Sequence, residues 1–215
     1  MTELRTRNIG VLISGRGTNL QALIDAIAEG RLDARIIVVI ANRENAAGLA
    51  RASAAGIETL IIDHRAFESR DEFDACVASA LLHRDVALVC LAGFMRLIGA
   101  PLLDAFPNAI LNIHPSLLPA FPGVNAQRQA LEHGVKIAGA TVHLVTGELD
   151  SGPIVVQAAV PVRDDDTVET LSARILVEEH RIYPEAVRLI LDGAWRLEGR
   201  RLIRSRHYHN PGTSR

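Results

Sequence analysis

The chain has 215 residues, 48% of them hydrophobic and 22% charged, with a formal net charge of −2 at pH 7. A mean hydropathy of +0.17 over that length supports a sizeable buried core and excludes a disordered chain. The near-neutral balance provides no broad basic field, so neither nucleic acid nor an acidic membrane surface is an expected partner. Two cysteines, Cys76 in a helical pattern and Cys90 in an apolar strand, are too few for a disulfide framework and lack metal-type spacing. Both read as buried thiols of a reducing compartment. The opening MTELRTRN is polar, and no apolar run approaches the roughly 18 residues of a membrane span. A cytoplasmic location is the expectation.

In chain order, short β-branched runs alternate with longer helical ones. Ile9 to Ile13 reads as a strand, Asn19 to Ala28 as a helix with Leu20, Leu23, Ile24 and Ile27 on one face, and Arg35 to Ala41 as a second, fully buried strand. A helix over Ala46 to Ala55, a strand over Glu58 to Ile62, a helix over Arg70 to His83 and a strand over Val86 to Ala92 continue the βαβ series. Strands that are apolar throughout belong to a sheet covered on both faces, so the fold class is α/β, three-layered and doubly wound around a mostly parallel sheet.

Beyond residue 123, Gln127 to His133 looks helical, Gly139 to Val145 extended, Gly147 to Pro153 a turn, and Ile154 to Val162 a strand. Asp164 to Thr167 suits a helix N-cap, and a long helix follows to about Leu191, with Pro184 expected to kink or divide it. Trp195 to Ile203 closes as a hairpin over Glu198 and Gly199, and the basic run from Arg196 to Arg206, with His207 and His209, reads as a solvated tail. With no repeat or linker, residues 1–215 are expected to form one domain. Its parts are an N-terminal half (8–107), a second half built onto the same sheet (108–193) and a hairpin with tail (194–215).

Two stretches carry chemistry. Ser14-Gly15-Arg16-Gly17-Thr18-Asn19-Leu20 lies between a strand and a helix, where glycines allow a tight turn and the helix N-terminus favours an anion, so phosphate is the natural ligand. A dinucleotide site would want a third glycine at Leu20 and an acid near Asn42 and Arg43. A plain glycine turn without ligand is the competing reading.

In Asn108 to Gly123, NAILNIHPSLLPAFPG, an extended backbone puts Asn112 and His114 on one side, their Cα atoms roughly 6.5 Å apart. Pro115 ends the strand there, at the edge where open α/β sheets place ligands. Histidine trades protons near neutral pH, asparagine donates to an oxyanion, and a carboxylate nearby favours the imidazolium. Asp150, in the Gly147–Pro153 turn, is the candidate acid. On spacing alone, a packed strand-end histidine with no catalytic role stands equally well. A metal site from His114, His143 and Asp150 has no supporting ligand spacing.

Together, Ser14-Gly15-x-Gly17-Thr18-Asn19-Leu20, Leu91-Ala-Gly-Phe-Met-Arg96, Leu111-Asn-Ile-His-Pro-Ser-Leu-Leu-Pro119, and Thr141-Val-His143 with Leu149-Asp-Ser-Gly-Pro153 carry a resemblance. The chain resembles the phosphoribosylglycinamide formyltransferases, folate-dependent enzymes of purine synthesis, in register from about Ile9 to Pro184. The resemblance implies formyl transfer from 10-formyltetrahydrofolate, as co-substrate, to the amine of glycinamide ribonucleotide, without a metal. Asn112 and protonated His114 would stabilise the oxyanion, and Asp150 would keep His114 cationic. The backbone of Gly17, Thr18 and Asn19 would hold the phosphate and Glu179 would lie near the ribose hydroxyls. Arg70 would meet the glutamate end of the folate, while Met95, Arg96, Leu97 and Ile98, with Asn112, Val145 and Glu148, would line the folate site. Without the resemblance, Phe94, Met95, Leu97 and Ile98 read as core. His143 is given a supporting role.

The family pattern fades at Val124 to Arg128, where many members carry histidines, and at Leu176, where some carry a polar residue. Three rivals are weighed, and the first two lose on length. Formyltetrahydrofolate hydrolase uses the same three residues behind an extra N-terminal domain, for which about eight residues leave no room. Methionyl-tRNA formyltransferase adds a C-terminal nucleic-acid-binding domain. A non-catalytic nucleotide-binding module would need only the glycine loop. Small-molecule substrates and a monomer or homodimer are expected.

Overall fold

The computed structural model describes residues 6–204. The far end of the basic tail, with Arg206, His207 and His209, lies outside the described residues. The first half alternates strand and helix: β1 (Asn8–Ile13), α1 (Thr18–Ala28), β2 (Arg35–Ala41), α2 (Gly48–Ala54), β3 (Glu58–Ile61), α3 (Arg70–Leu82), β4 (Leu88–Leu91), α4 (Ala100–Ala105) and β5 (Ile110–His114). Then come α5 (Ala126–Glu132), β6 (Ile137–Leu144), β7 (Ile154–Pro161), α6 (Val168–Leu191), and the hairpin β8 (Trp195–Glu198) and β9 (Arg201–Arg204). Two elements escape sequence periodicity: α4, six residues with proline in its first turn, and a single 3-10 turn at His64–Ala66.

The nine strands form one sheet in the order β3-β2-β1-β4-β5-β6-β7-β9-β8. β1 to β5 run parallel, while β6 turns antiparallel to β5, and β7 antiparallel to β6. β1, β2 and β4 are almost wholly buried, as their uninterrupted apolar runs demand. The strand order reverses between β1 and β4, and the carboxyl ends there open the crevice in which such sheets bind ligands. The phosphate-type loop after β1, the segment after β4 and the Asn112/His114 strand all end on that edge.

α6 is one uninterrupted helix of 24 residues, so Pro184 does not divide it. The capping box at Thr167 and Thr170 starts it, with each side chain accepting from the other's backbone N–H at 3.3 and 2.9 Å. Leu171, Ile175, Glu179, Ile182, Ala186 and Ile190, three or four residues apart, form a buried stripe that spans the proline. Burial of that stripe outweighs the one backbone hydrogen bond proline removes. Beside it, the buried Tyr183 hydroxyl donates to the Leu91 carbonyl at 2.9 Å, tying α6 to β4.

Cys90 is buried as expected, and burial pushes its thiol up to about 12. Cys76 is instead exposed, because α3 turns it away from the buried face made by Phe73, Val77 and Leu81. No helix among the described residues is long and apolar enough to cross a membrane.

Candidate active site

β5 brings Asn112 and His114 to the sheet edge on one face, and its antiparallel neighbour β6 sets His143 directly opposite Asn112. Asp150 arrives from the turn after β6, in the left-handed region at φ 46°. Its Oδ2 lies 3.4 Å from His114 Nδ1 and accepts from the Gly123 N–H at 2.8 Å. Its Oδ1 lies 3.5 Å from Asn112 Nδ2 and 3.7 Å from His143 Nε2. Residues as far apart in sequence as Asn112 and Asp150 thus form one cluster, half-buried at those two and buried at His114 and His143. Burial works to raise the Asp150 carboxyl, but contact with His143, the Gly123 N–H and the charges of His114 and His143 outweigh it and hold the carboxyl below its ordinary value.

His114 is clamped at both ring nitrogens. Nδ1 faces Asp150, and Nε2 lies 2.9 Å from the carbonyl of Phe121, so acceptors stand at both positions and a doubly protonated ring satisfies both. Phe121 itself is held at φ 54°. On the other side, His143 Nδ1 faces the Leu144 carbonyl at 2.9 Å and Nε2 faces Asn112 Nδ2 at 3.1 Å. With Nδ1–H donating, a neutral His143 accepts from the Asn112 amide. Asp150 Oδ1, 3.5 Å from the same Nδ2, favours that orientation, since a reversed amide would set its oxygen against the carboxylate. His143 and Asp150 together therefore orient the Asn112 amide, which gives His143 a larger part than its sequence position suggests.

The glycine loop carries Gly17 at φ 68° as the N-cap of α1, with no side-chain cap, and a Cβ there would meet the Gly48 Cα at 2.6 Å. Only glycine fits a left-handed turn pressed this closely on α2. Thr18 and Asn19 open α1. The Asn19 side chain donates to Glu179 Oε2 at 2.7 Å, which joins the loop to α6. Burial raises the Glu179 carboxyl, while the Asn19 hydrogen bond and the charge of Arg16 pull the other way.

On the opposite side of the crevice, Met95 and Leu97 are 71% and 52% exposed whereas Phe94 and Ile98 are buried, so a core reading holds for only two of the four. Arg96 places its guanidinium 5.2 Å from the centre of the Phe73 ring. Arg70 is exposed at the start of α3, Val145 is half-buried, and Glu148 is exposed and accepts from Ser151 Oγ at 2.9 Å. The structure thus brings Asn112, His114 and Asp150 together, and pairs Asn19 with Glu179. Val145 is hydrogen-bonded to Ile110, at the far end of β5 from His114. Sequence reasoning missed the Gly123 N–H and the Phe121 carbonyl, which are backbone groups without a residue signature.

A cavity of about 670 Å³ between the 118–122 loop and the C-terminal hairpin has Asp150 in its wall but none of the other expected site residues. Among the described residues, no group of three or more His, Cys, Asp or Glu is arranged to hold a metal ion.

Comparison with known proteins gives a consistent picture. A formyl transferase family model matches residues 7–187. The trifunctional purine biosynthetic protein adenosine-3 of Homo sapiens is 47% identical over 195 residues, 91% of this chain, which spans 19% of that protein's length. The phosphoribosylglycinamide formyltransferase of Escherichia coli is 42% identical over 203 residues, 91% of this chain and 95% of that one. The crystal structure of glycinamide ribonucleotide transformylase 1 from Symbiobacterium toebii superimposes with a TM-score of 0.91 at 61% identity, covering 93% of this chain and 94% of that one.

Proposed function

The chain belongs to the formyl transferase family, and from that premise we propose that it transfers a formyl group from 10-formyltetrahydrofolate to the amine of glycinamide ribonucleotide. The observation that carries the reading is the convergence of Asn112, His114 and Asp150 at the sheet edge that also bears the glycine loop. The ribonucleotide phosphate sits on the N–H groups of Gly17, Thr18 and Asn19, and Glu179, steadied by Asn19, accepts from the ribose hydroxyls. Met95 to Ile98 and the turn through Glu148 flank the pterin, with Arg70 toward the glutamate end.

The amine lone pair attacks the formyl carbon. A C–N bond forms, the carbonyl oxygen becomes an oxyanion, and collapse breaks the bond to N10, which takes up a proton while the attacking amine loses one. The products are formylglycinamide ribonucleotide and tetrahydrofolate. Protonated His114 and the Asn112 NH₂ donate to the oxyanion, Asp150 keeps His114 cationic and, through water, receives the amine proton. Two adjustments follow from the distances. The oxyanion replaces the Phe121 carbonyl on His114 Nε2, so the loop around Phe121 gives way. The Asn112 NH₂, which faces His143 Nε2 and Asp150 Oδ1, turns an N–H to the oxyanion. Small-molecule substrates, a cytoplasmic location, one catalytic domain and a monomer or homodimer go with this reading.

The test supplies both substrates and follows deformylated folate in the wild type, Asn112→Ala, His114→Ala and Asp150→Asn. Turnover is expected only when the amine is present, and loss of one oxyanion donor lowers kcat about 10²–10³-fold. Absence of wild-type turnover overturns the proposal. Folate product without the amine assigns a hydrolase, and undiminished variants remove the three residues from the mechanism.

A further inference from the structure

Asp74 has no part in the chemistry above, yet it is a carboxylate 1% exposed in the middle of α3. A buried carboxylate is costly unless it is paired, so its partners point to its use. Its Oδ2 accepts from the Gly99 N–H at 2.5 Å. Gly99 is where the Met95–Ile98 segment ends and α4 begins. The contact is flush: a Cβ on Gly99 would lie 2.8 Å from Asp71 Oδ1, 3.0 Å from Asp74 Oδ2 and 3.4 Å from Arg70 Nε. Burial raises the Asp74 carboxyl, while the Gly99 N–H and the charges of Arg70 and Arg96 pull the other way. At its other end, the segment is anchored by the Met95 N–H donating to Ser14 Oγ at 2.9 Å. Between these two anchors, Met95 and Leu97 project into solvent with no packing of their own to hold them. With Ile98 buried and Arg96 over Phe73, the placement of the exposed Met95 and Leu97 depends on those contacts and on the two end hydrogen bonds.

We infer that Asp74 is a positioning residue for the formyl donor: by gripping Gly99 at the end of the Met95–Ile98 strip, it holds that strip in the shape that receives the folate. The inference rests on the formyl-transfer reading and adds to it a residue that touches neither substrate.

The experiment compares wild type, Asp74→Ala and Asp74→Asn in steady-state kinetics with each substrate varied, and in fluorescence titration with tetrahydrofolate alone. In Asp74→Ala, the KM for 10-formyltetrahydrofolate and the tetrahydrofolate Kd are expected to rise about tenfold, with kcat and the ribonucleotide KM within about twofold. Asp74→Asn keeps an oxygen that accepts from Gly99 and should recover most of the loss. Where Asp74→Ala does not fold, Asp74→Ser replaces it in the same comparison. Unchanged folate KM and Kd overturn the inference, as does a fall in kcat with both KM values unmoved, the mark of a smaller folded fraction. Wild type that binds no tetrahydrofolate overturns the formyl-transfer reading itself.

Discussion

Gly152→Ala tests whether the turn after β6 works as a rigid carrier of Asp150. A Cβ at Gly152 would sit 1.7 Å from the Leu144 carbonyl oxygen and 2.8 Å from its carbon. No rotamer relieves a clash with backbone. Reaching even the 3.0 Å that real Cβ atoms respect requires the two backbones to part by at least about 1.3 Å. The Leu144 N–H to Pro153 carbonyl bond at 2.9 Å closes the neck of this turn, so the displacement passes into the turn that carries Asp150. The His114–Asp150 contact is 3.4 Å, and a shift of 1 Å at a catalytic group costs about 10²-fold in rate. The expected outcome is a kcat/KM lower by about 10²-fold together with a loss of about 1–3 kcal/mol in urea denaturation. At Gly147, in the same turn, a Cβ would have nothing within 4 Å, so Gly147→Ala is the matched control and should stay within about twofold. A Gly152→Ala protein with wild-type activity and stability would refute the reasoning, and so would equal losses in the two variants.

The folded pKa of Glu179 lies above its ordinary value because of burial, so it contributes stability below the unfolded pKa and loses it as pH rises through the folded one. Glu179→Gln should therefore raise the melting temperature relative to wild type at pH 7.5 and not at pH 4, while raising the ribonucleotide KM; an equal gain at both pH values would count against the burial argument. Asp150 is held low and behaves in the opposite sense: its stabilisation is present above the unfolded pKa and is lost as pH falls through the lower folded value. Asp150→Asn should then flatten the acid limb of stability below about pH 4 in chemical denaturation, and an unaltered limb would contradict it. Tyr183→Phe removes the buried hydroxyl that donates to Leu91 and should cost about 1–2 kcal/mol in urea unfolding with kcat intact, a result checked by paired denaturation and activity measurements.

Much of the architecture was legible because it is written locally. The run Arg35 to Ala41 reads as a buried strand and is one, with the same limits, and the SGRGTNL loop declares its turn through Gly17, whose left-handed backbone and contact with Gly48 admit no side chain. Hydrophobic period and glycine placement are properties of neighbouring residues, and neighbours are what a sequence lists. The exceptions were cooperative. Pro184 speaks locally for a break, but a stripe of buried residues on either side keeps α6 whole; Cys76 and Met95 share the apolar look of their neighbours, yet packing leaves both outside. At the candidate site the residue types, Asn112, His114 and Asp150, could be named from their chemistry and their family resemblance. Their distances could not, since the approach of Asp150 depends on a turn 38 residues from Asn112 in sequence, closed by the Leu144–Pro153 bond and seated by the Gly123 N–H. Nor could the clamp on His114 by Phe121, or the hold of His143 on the Asn112 amide. Every residue brings a carbonyl and every residue but proline an N–H, so the sequence does not mark the ones that matter; only the tertiary fold selects them, by bringing them within hydrogen-bonding range.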